Sequence, residues 1–158
     1  MTTKKIIPLI TCLAIPLLVG GISGWLTAGE INTWYQTINK PPFNPPNWIF
    51  GPVWTTLYIL MGISLFMIWD SPKSAERQRA MVVFSIQLFL NFCWSLIFFK
   101  LHMLFGAVVE IIALWLMIIY MLLCFSRVKP LAAYLNIPYL LWVSFASVLS
   151  TATWWLNR

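Results

Sequence analysis

The chain has 158 residues, of which 61% are hydrophobic and only 9% charged, with a formal net charge of +6. A water-soluble domain needs far more charge to cover its surface, so this composition excludes a soluble catalytic module. The basic excess sits in loops and tails, where it sets topology and meets anionic headgroups; membrane lipid is an expected partner and nucleic acid is not.

Five apolar stretches run along the chain: Ile6–Leu26, Trp48–Trp69, Met81–Phe99, Met103–Phe125 and Leu131–Leu156. Each has roughly the 20 residues that an α-helix needs to cross about 30 Å of hydrocarbon. The expected fold is all-α, an integral, multi-pass bundle of five transmembrane helices forming one domain over residues 1–158.

The first stretch follows the basic segment Met1–Lys5. Its apolar run is too long for a signal peptide, and Trp25 near its end suits an interface anchor, so it reads as a permanent helix. Gly20 and Gly24 form a G-x-x-x-G beside Gly21. Such spacing permits close helix approach, within one bundle or between protomers.

The Thr27–Asn47 loop is the longest and carries Trp34, Tyr35, Lys40, Pro41, Pro42, Phe43, Pro45 and Pro46. Its prolines remove backbone donors and fix φ, which forbids regular helix there. A stiff aromatic segment at a helical mouth reads as a lid over a cavity.

In the second stretch Phe50, Trp54 and Tyr58 are four residues apart and share one face. The third has Gln87, Asn91, Trp94 and Ser95 at helical spacing. Amides in a membrane are costly unless paired, so that face is expected to look inward. The fourth carries Glu110 about seven residues in, an intramembrane carboxylate with either a functional or a structural use. In the fifth, Pro138, Trp142, Ala146 and Leu149 share one side. Ala146 beside Trp142 leaves room for a flat ligand, and Pro138 is expected to kink the helix. Trp54, Trp94 and Trp142 lie deep in their stretches, whereas tryptophan normally prefers the interface, which points to an aromatic-lined cavity.

Cys12, Cys93 and Cys124 fall within expected helices without a C-x-x-C pair and read as buried thiols. His102 is the single histidine, in a short loop, so no protein metal site of familiar spacing is expected. Lys4, Lys5, Lys73, Arg77, Arg79, Arg127 and Lys129 fall on one side of a five-span topology, and Lys40, Lys100 and Arg158 on the other. The positive-inside rule puts the N-terminus in the cytoplasm and the C-terminus outside.

The run Trp34-Tyr35…Lys40-Pro41…Pro45-Pro46-Asn47-Trp48…Trp54…Tyr58 resembles the signature of the translocator protein family, also called the peripheral benzodiazepine receptor or tryptophan-rich sensory protein family. Asn91-Phe92-Cys93-Trp94-Ser95 is similar to its N-x-x-W/F-S segment, and Pro138-Tyr139-Leu140-Leu141-Trp142 with Phe145-Ala146 to its P-Y-x-x-W motif. The resemblance implies a five-helix bundle, often a homodimer, with a pocket under the first loop. It implies binding of porphyrins such as protoporphyrin IX, of isoquinoline and benzodiazepine compounds and, in animals, of cholesterol. Carried over by motif, the ligand-binding positions are Tyr35, Pro45, Phe50, Trp54, Tyr58, Asn91, Trp94, Ser95, Trp142, Phe145, Ala146 and Leu149. The family's cholesterol motif is incomplete, because Val148–Arg158 contains no tyrosine.

The leading expectation is a porphyrin receptor, with transport or sensing as its use, in a bacterial plasma membrane. A tetrapyrrole is then the ligand and no cofactor is required. In this reading the macrocycle stacks on Trp54 and Trp142, Asn91 and Tyr35 orient it, and its propionates approach Lys40. One alternative is an enzyme that degrades the porphyrin in light, with Trp54 and Trp142 as redox partners. Another is a regulatory membrane protein whose pocket holds lipid. No acid–base dyad, activated nucleophile or metal cluster in the sequence points to conventional catalysis.

Overall fold

The computed structural model describes residues 3–158, with side chains from Lys5 onward. Met1 and Thr2, and the side chain of Lys4, lie outside the described residues. The elements are α1 (Thr3–Asn32), α2 (Trp34–Thr37), α3 (Asn47–Trp69), α4 (Ala75–Ser95) with a π-helical turn at Leu96–Lys100, α5 (Leu104–Val128), α6 (Pro130–Tyr134) and α7 (Ile137–Leu156). Among the described residues five helical segments, with α4 joined to its π-helical turn and α6 to α7, are long and apolar enough to cross a membrane. The most extensive pairings are α4 with α5 and α1 with α3.

The core lies toward the end of the bundle that holds the N-terminus. Met61, Ile68, Phe84, Ile118, Met121, Phe125 and Val143 are fully enclosed there, and the Phe84 and Phe125 rings lie near-parallel with centroids 6.1 Å apart. Glycine sets the closeness of α1 and α3: a Cβ on Gly62 would sit 2.7 Å from the Leu13 Cα and 2.9 Å from the Cys12 carbonyl oxygen. At the N-terminal end Lys5 and Asp70 form an ion pair of 2.7 Å that ties the start of α1 to the end of α3. The outward faces are apolar, with Ile7, Leu18, Phe89, Leu116 and Leu141 all exposed, as lipid contact requires.

Helix ends differ from the hydropathy limits in three places. First, α1 runs on to Asn32 instead of stopping near Leu26, which shortens the expected 27–47 loop to Thr33, the short α2 and residues 38–46. Thr27–Asn32 is more polar but contains no proline, and the Thr27 and Thr33 hydroxyls fold back on the Ser23 and Gly29 carbonyls. Second, α4 begins at Ala75, because Ser74 caps it by accepting from the Arg77 N–H at 3.1 Å and Glu76 lies in the first turn.

Third, the interruption expected at Pro138 falls at Leu135–Asn136, between α6 and α7. Pro138 occupies the first turn of α7, where a missing N–H costs nothing. The Asn136 amide takes up the break by donating to the Ala132 carbonyl (2.9 Å) and to the Ser64 hydroxyl (2.7 Å).

Candidate ligand-binding cavity

The half of the bundle near the α1–α3 connection is hollow. Its cavity has a volume of about 370 Å³, within the range of small-molecule sites. The face of α3 supplies Phe50, Trp54 and Tyr58, as the four-residue spacing requires. From α4 come Trp94 and Ser95, and from α7 Trp142, Ala146, Leu149, Ser150 and Thr153. Tyr35 of α2 closes the top. The π-helical turn adds Phe98 and Phe99, whose rings pack on Tyr35 with centroids at 6.1 and 5.5 Å. Inserting one extra residue per turn re-aims consecutive side chains, a recurrent device at functional sites.

Three expected positions are off this wall: Asn91, Phe145 and Pro45. Asn91 lies behind it, with both ends of its amide consumed. Its Oδ1 accepts from the Tyr58 hydroxyl at 2.7 Å, and its Nδ2 donates to the Tyr139 hydroxyl at 3.2 Å. Tyr139 in turn donates to Gln87 Oε1 at 2.9 Å. Trp54 rests on these tyrosines, stacked on Tyr58 (5.5 Å, 27°) and edge-on to Tyr139 (6.2 Å, 66°). Phe145 is one residue off the stripe formed by Trp142, Ala146 and Leu149 and packs against Trp142 at 5.6 Å. Pro45 belongs to the roof, where its carbonyl accepts from the Asn44 amide at 3.0 Å.

The roof is anchored at several points. The Tyr35 hydroxyl donates to Asn44 at 2.9 Å, and Lys40 lies over the Tyr35 ring, 4.6 Å from its centroid. Burial pushes the Tyr35 phenol above its ordinary pKa, so it stays a neutral donor at physiological pH. Asn39 and Asn157 bond reciprocally, from the Asn39 N–H to Asn157 Oδ1 (2.9 Å) and from Asn157 Nδ2 to the Asn39 carbonyl (2.8 Å). Beside the roof Trp34 stacks on His102 (4.1 Å, 12°), and Glu30 lies 3.3 Å from both His102 Nε2 and Lys100 Nζ. His102 and Glu110 are not on the cavity wall.

α1 contributes a wall the sequence reading did not assign: Leu17, Gly20, Gly21, Ser23, Gly24, Thr27 and Ile31. These positions recur at helical spacing, so the stripe was legible. Gly20 packs on the Tyr58 ring, so the glycine pair serves contact within the bundle on one side and the cavity on the other.

Fold and site together define a class: an integral multi-pass bundle of five spans with an aromatic cavity beneath a short proline-rich roof. The chain belongs to the TspO/MBR family, whose model matches residues 12–156. It is similar to the tryptophan-rich protein TspO of Chlorobaculum tepidum, with 40% identity over 98% of both chains. It is similar also to the tryptophan-rich protein TspO of Archaeoglobus fulgidus, with 39% identity over 97% of this chain and 99% of that one. The translocator protein of Bos taurus is 32% identical over 96% of this chain and 91% of its own.

Proposed function

We propose that the protein is a membrane receptor for flat, largely apolar small molecules. Porphyrins such as protoporphyrin IX are the first class, and isoquinoline or benzodiazepine compounds the second. The observation that carries this reading is the aromatic wall of Phe50, Trp54, Trp94 and Trp142 around a cavity of about 370 Å³. Burial of apolar ligand surface at roughly 25 cal/mol per Å² supports micromolar affinity without an ion pair. Lys40, held against Tyr35, offers a cation beside the wall for a carboxylate at the ligand's edge. The test is titration of the purified protein in lipid nanodiscs with protoporphyrin IX, read by tryptophan quenching and the Soret band. Saturable one-site binding is expected; its absence overturns the reading in favour of a pocket that holds lipid.

A second reading, light-driven breakdown of the bound porphyrin with Trp54 and Trp142 as redox partners, draws on the place of both rings on the cavity wall, where Trp54 is backed by the oxidisable Tyr58 and Tyr139 rings. Illumination of the complex decides it: protein-dependent conversion to a defined product supports it, and bleaching no faster than free porphyrin removes it. We infer also that the basic Lys73, Arg77, Arg79, Arg127 and Lys129 face the cytoplasm with the N-terminus. A reporter active only in the cytoplasm and fused after Arg158 is then silent; a bright signal reverses the orientation.

A further inference from the structure

We propose that the cavity is filled sideways from the bilayer, through a glycine-edged gap between α1 and α3, and that its ligands are therefore molecules dissolved in the lipid. The inference rests on the proposed ligand-binding role of the cavity and adds the route and the class of molecule that route admits.

The two helices touch over only part of their shared length. They are tight where Gly62 meets the backbone at Cys12–Leu13, and again where Gly20 meets the Tyr58 ring. One turn further toward the roof they part. A Cβ placed on Gly21, Gly24 or Gly51 meets no heavy atom within 4 Å. Leu17, Gly21, Gly24, Gly51 and Thr55 line the cavity and are nonetheless exposed. Exposed residues on a cavity wall mark the side on which the cavity opens.

The opening faces hydrocarbon. Leu18 and Ile22 on α1 and Ile59 on α3 are exposed apolar neighbours. Trp25 and Trp48, 79% and 73% exposed, stand at the roof end of the same helices, where interface anchors belong. The rim adds no free donor to the lipid at Thr55, whose hydroxyl is bonded to the Gly51 carbonyl at 2.9 Å. Glycine at these positions keeps the passage wide. Their helical backbone has no positive φ that would demand it.

The alternative route, through the roof, is fastened. Tyr35 and Pro41 are buried, Tyr35 is bonded to Asn44, and the Asn39–Asn157 pair ties the segment to the end of α7. The proline-rich segment that reads as a stiff lid in the sequence does cover the cavity, and these bonds hold it at both ends.

The test is stopped-flow binding of protoporphyrin IX to the protein in phosphatidylcholine nanodiscs. Gly24→Leu and Gly51→Leu add bulk at the gap, where a Cβ at either position meets no heavy atom within 4 Å. Both are expected to slow association and dissociation together, each by tenfold or more. A mere loss of fit instead speeds dissociation, and that outcome overturns the proposal. Asn39→Ala with Asn157→Ala releases the roof and is expected to leave both rates within twofold of wild type. If this pair accelerates both rates while the leucine variants leave them unchanged, the ligand passes through the roof and the inference is wrong. If the wild-type protein shows no saturable binding, the receptor reading itself fails and this inference falls with it.

Discussion

Asn91→Leu probes the polar seam that holds the aromatic wall in place. In the native bundle the Asn91 amide joins the Tyr58 and Tyr139 hydroxyls at 2.7 and 3.2 Å, and Asn91 is 4% exposed. Leucine fills a similar volume but leaves the two hydroxyls unequal. Tyr139 keeps its bond to Gln87, whereas Tyr58 has no second side-chain partner. One orphaned buried hydroxyl costs about 1–3 kcal/mol. Hydrogen bonds inside membranes run nearer 0.6 kcal/mol, so the expected loss is about 1–2 kcal/mol. Tyr58→Phe removes the orphan, so Tyr58→Phe with Asn91→Leu is expected to lose less than the sum of the two single changes, by about 1 kcal/mol. Unfolding in mixed micelles of increasing denaturing-detergent fraction measures all three variants. Because Trp54 is stacked on Tyr58, porphyrin affinity is expected to fall alongside stability, although Asn91 is not on the cavity wall. Strict additivity, or unchanged affinity in a destabilised Asn91→Leu protein, refutes the idea that Asn91 acts through the tyrosines.

Trp54→Phe and Trp142→Phe each keep an aromatic platform and are expected to weaken protoporphyrin IX binding by about 1 kcal/mol or less, read by titration. If the complex is photochemically active, product formation under timed illumination falls far more than affinity, and wild-type affinity in both variants places the ligand elsewhere. Gly62→Ala is expected to destabilise by about 1–3 kcal/mol in thermal unfolding, since its Cβ would lie 2.7 Å from the Leu13 backbone. Gly29→Ala, which meets nothing within 4 Å, is neutral or stabilising in the same assay. Ser74→Ala removes the cap bond to the Arg77 N–H and is expected to cost about 1 kcal/mol; an unchanged midpoint shows that α4 does not depend on its cap.

Hydropathy located all five spans because hydrocarbon enforces intrasegment hydrogen bonding over a fixed thickness. It located their ends less well, because it tracks depth in the membrane, while caps and prolines decide where a helix stops. Thr27–Asn32 stays helical beyond the apolar run, and Ala75–Ala80 is helical before the next one begins. Spacing likewise assigned Phe50, Trp54 and Tyr58, or Trp142, Ala146 and Leu149, to one face each, and both faces line the cavity. It could not tell that Asn91 finds partners 33 and 48 residues away, on other helices, and so turns from the ligand side to the supporting side. Phe98 and Phe99 depend on a π-helical turn that leaves no mark in the residue pattern. The stripe on α1 was visible, but glycine at that spacing reads equally as helix packing, and Gly20 does pack.

The two halves of the bundle divide the physical work. Toward the N-terminal end α1 and α3 close on glycine, and the Phe84–Phe125 layer is sealed. Toward the roof the same helices separate around about 370 Å³. At about 24 cal/mol per Å³, an enclosed empty cavity of that size costs roughly 9 kcal/mol, comparable with the whole stability of a domain. On the proposed lateral route acyl chains fill the space whenever no ligand does, which removes most of that cost. Binding is then an exchange of lipid for ligand, and apolar burial alone discriminates weakly between the two. Under the proposed receptor function, discrimination falls to what a chain cannot offer: a flat face for Trp54 and Trp142, and a polar edge for the Tyr35–Lys40 end of the wall. The buried amide and tyrosine seam behind Trp54 keeps that face in place.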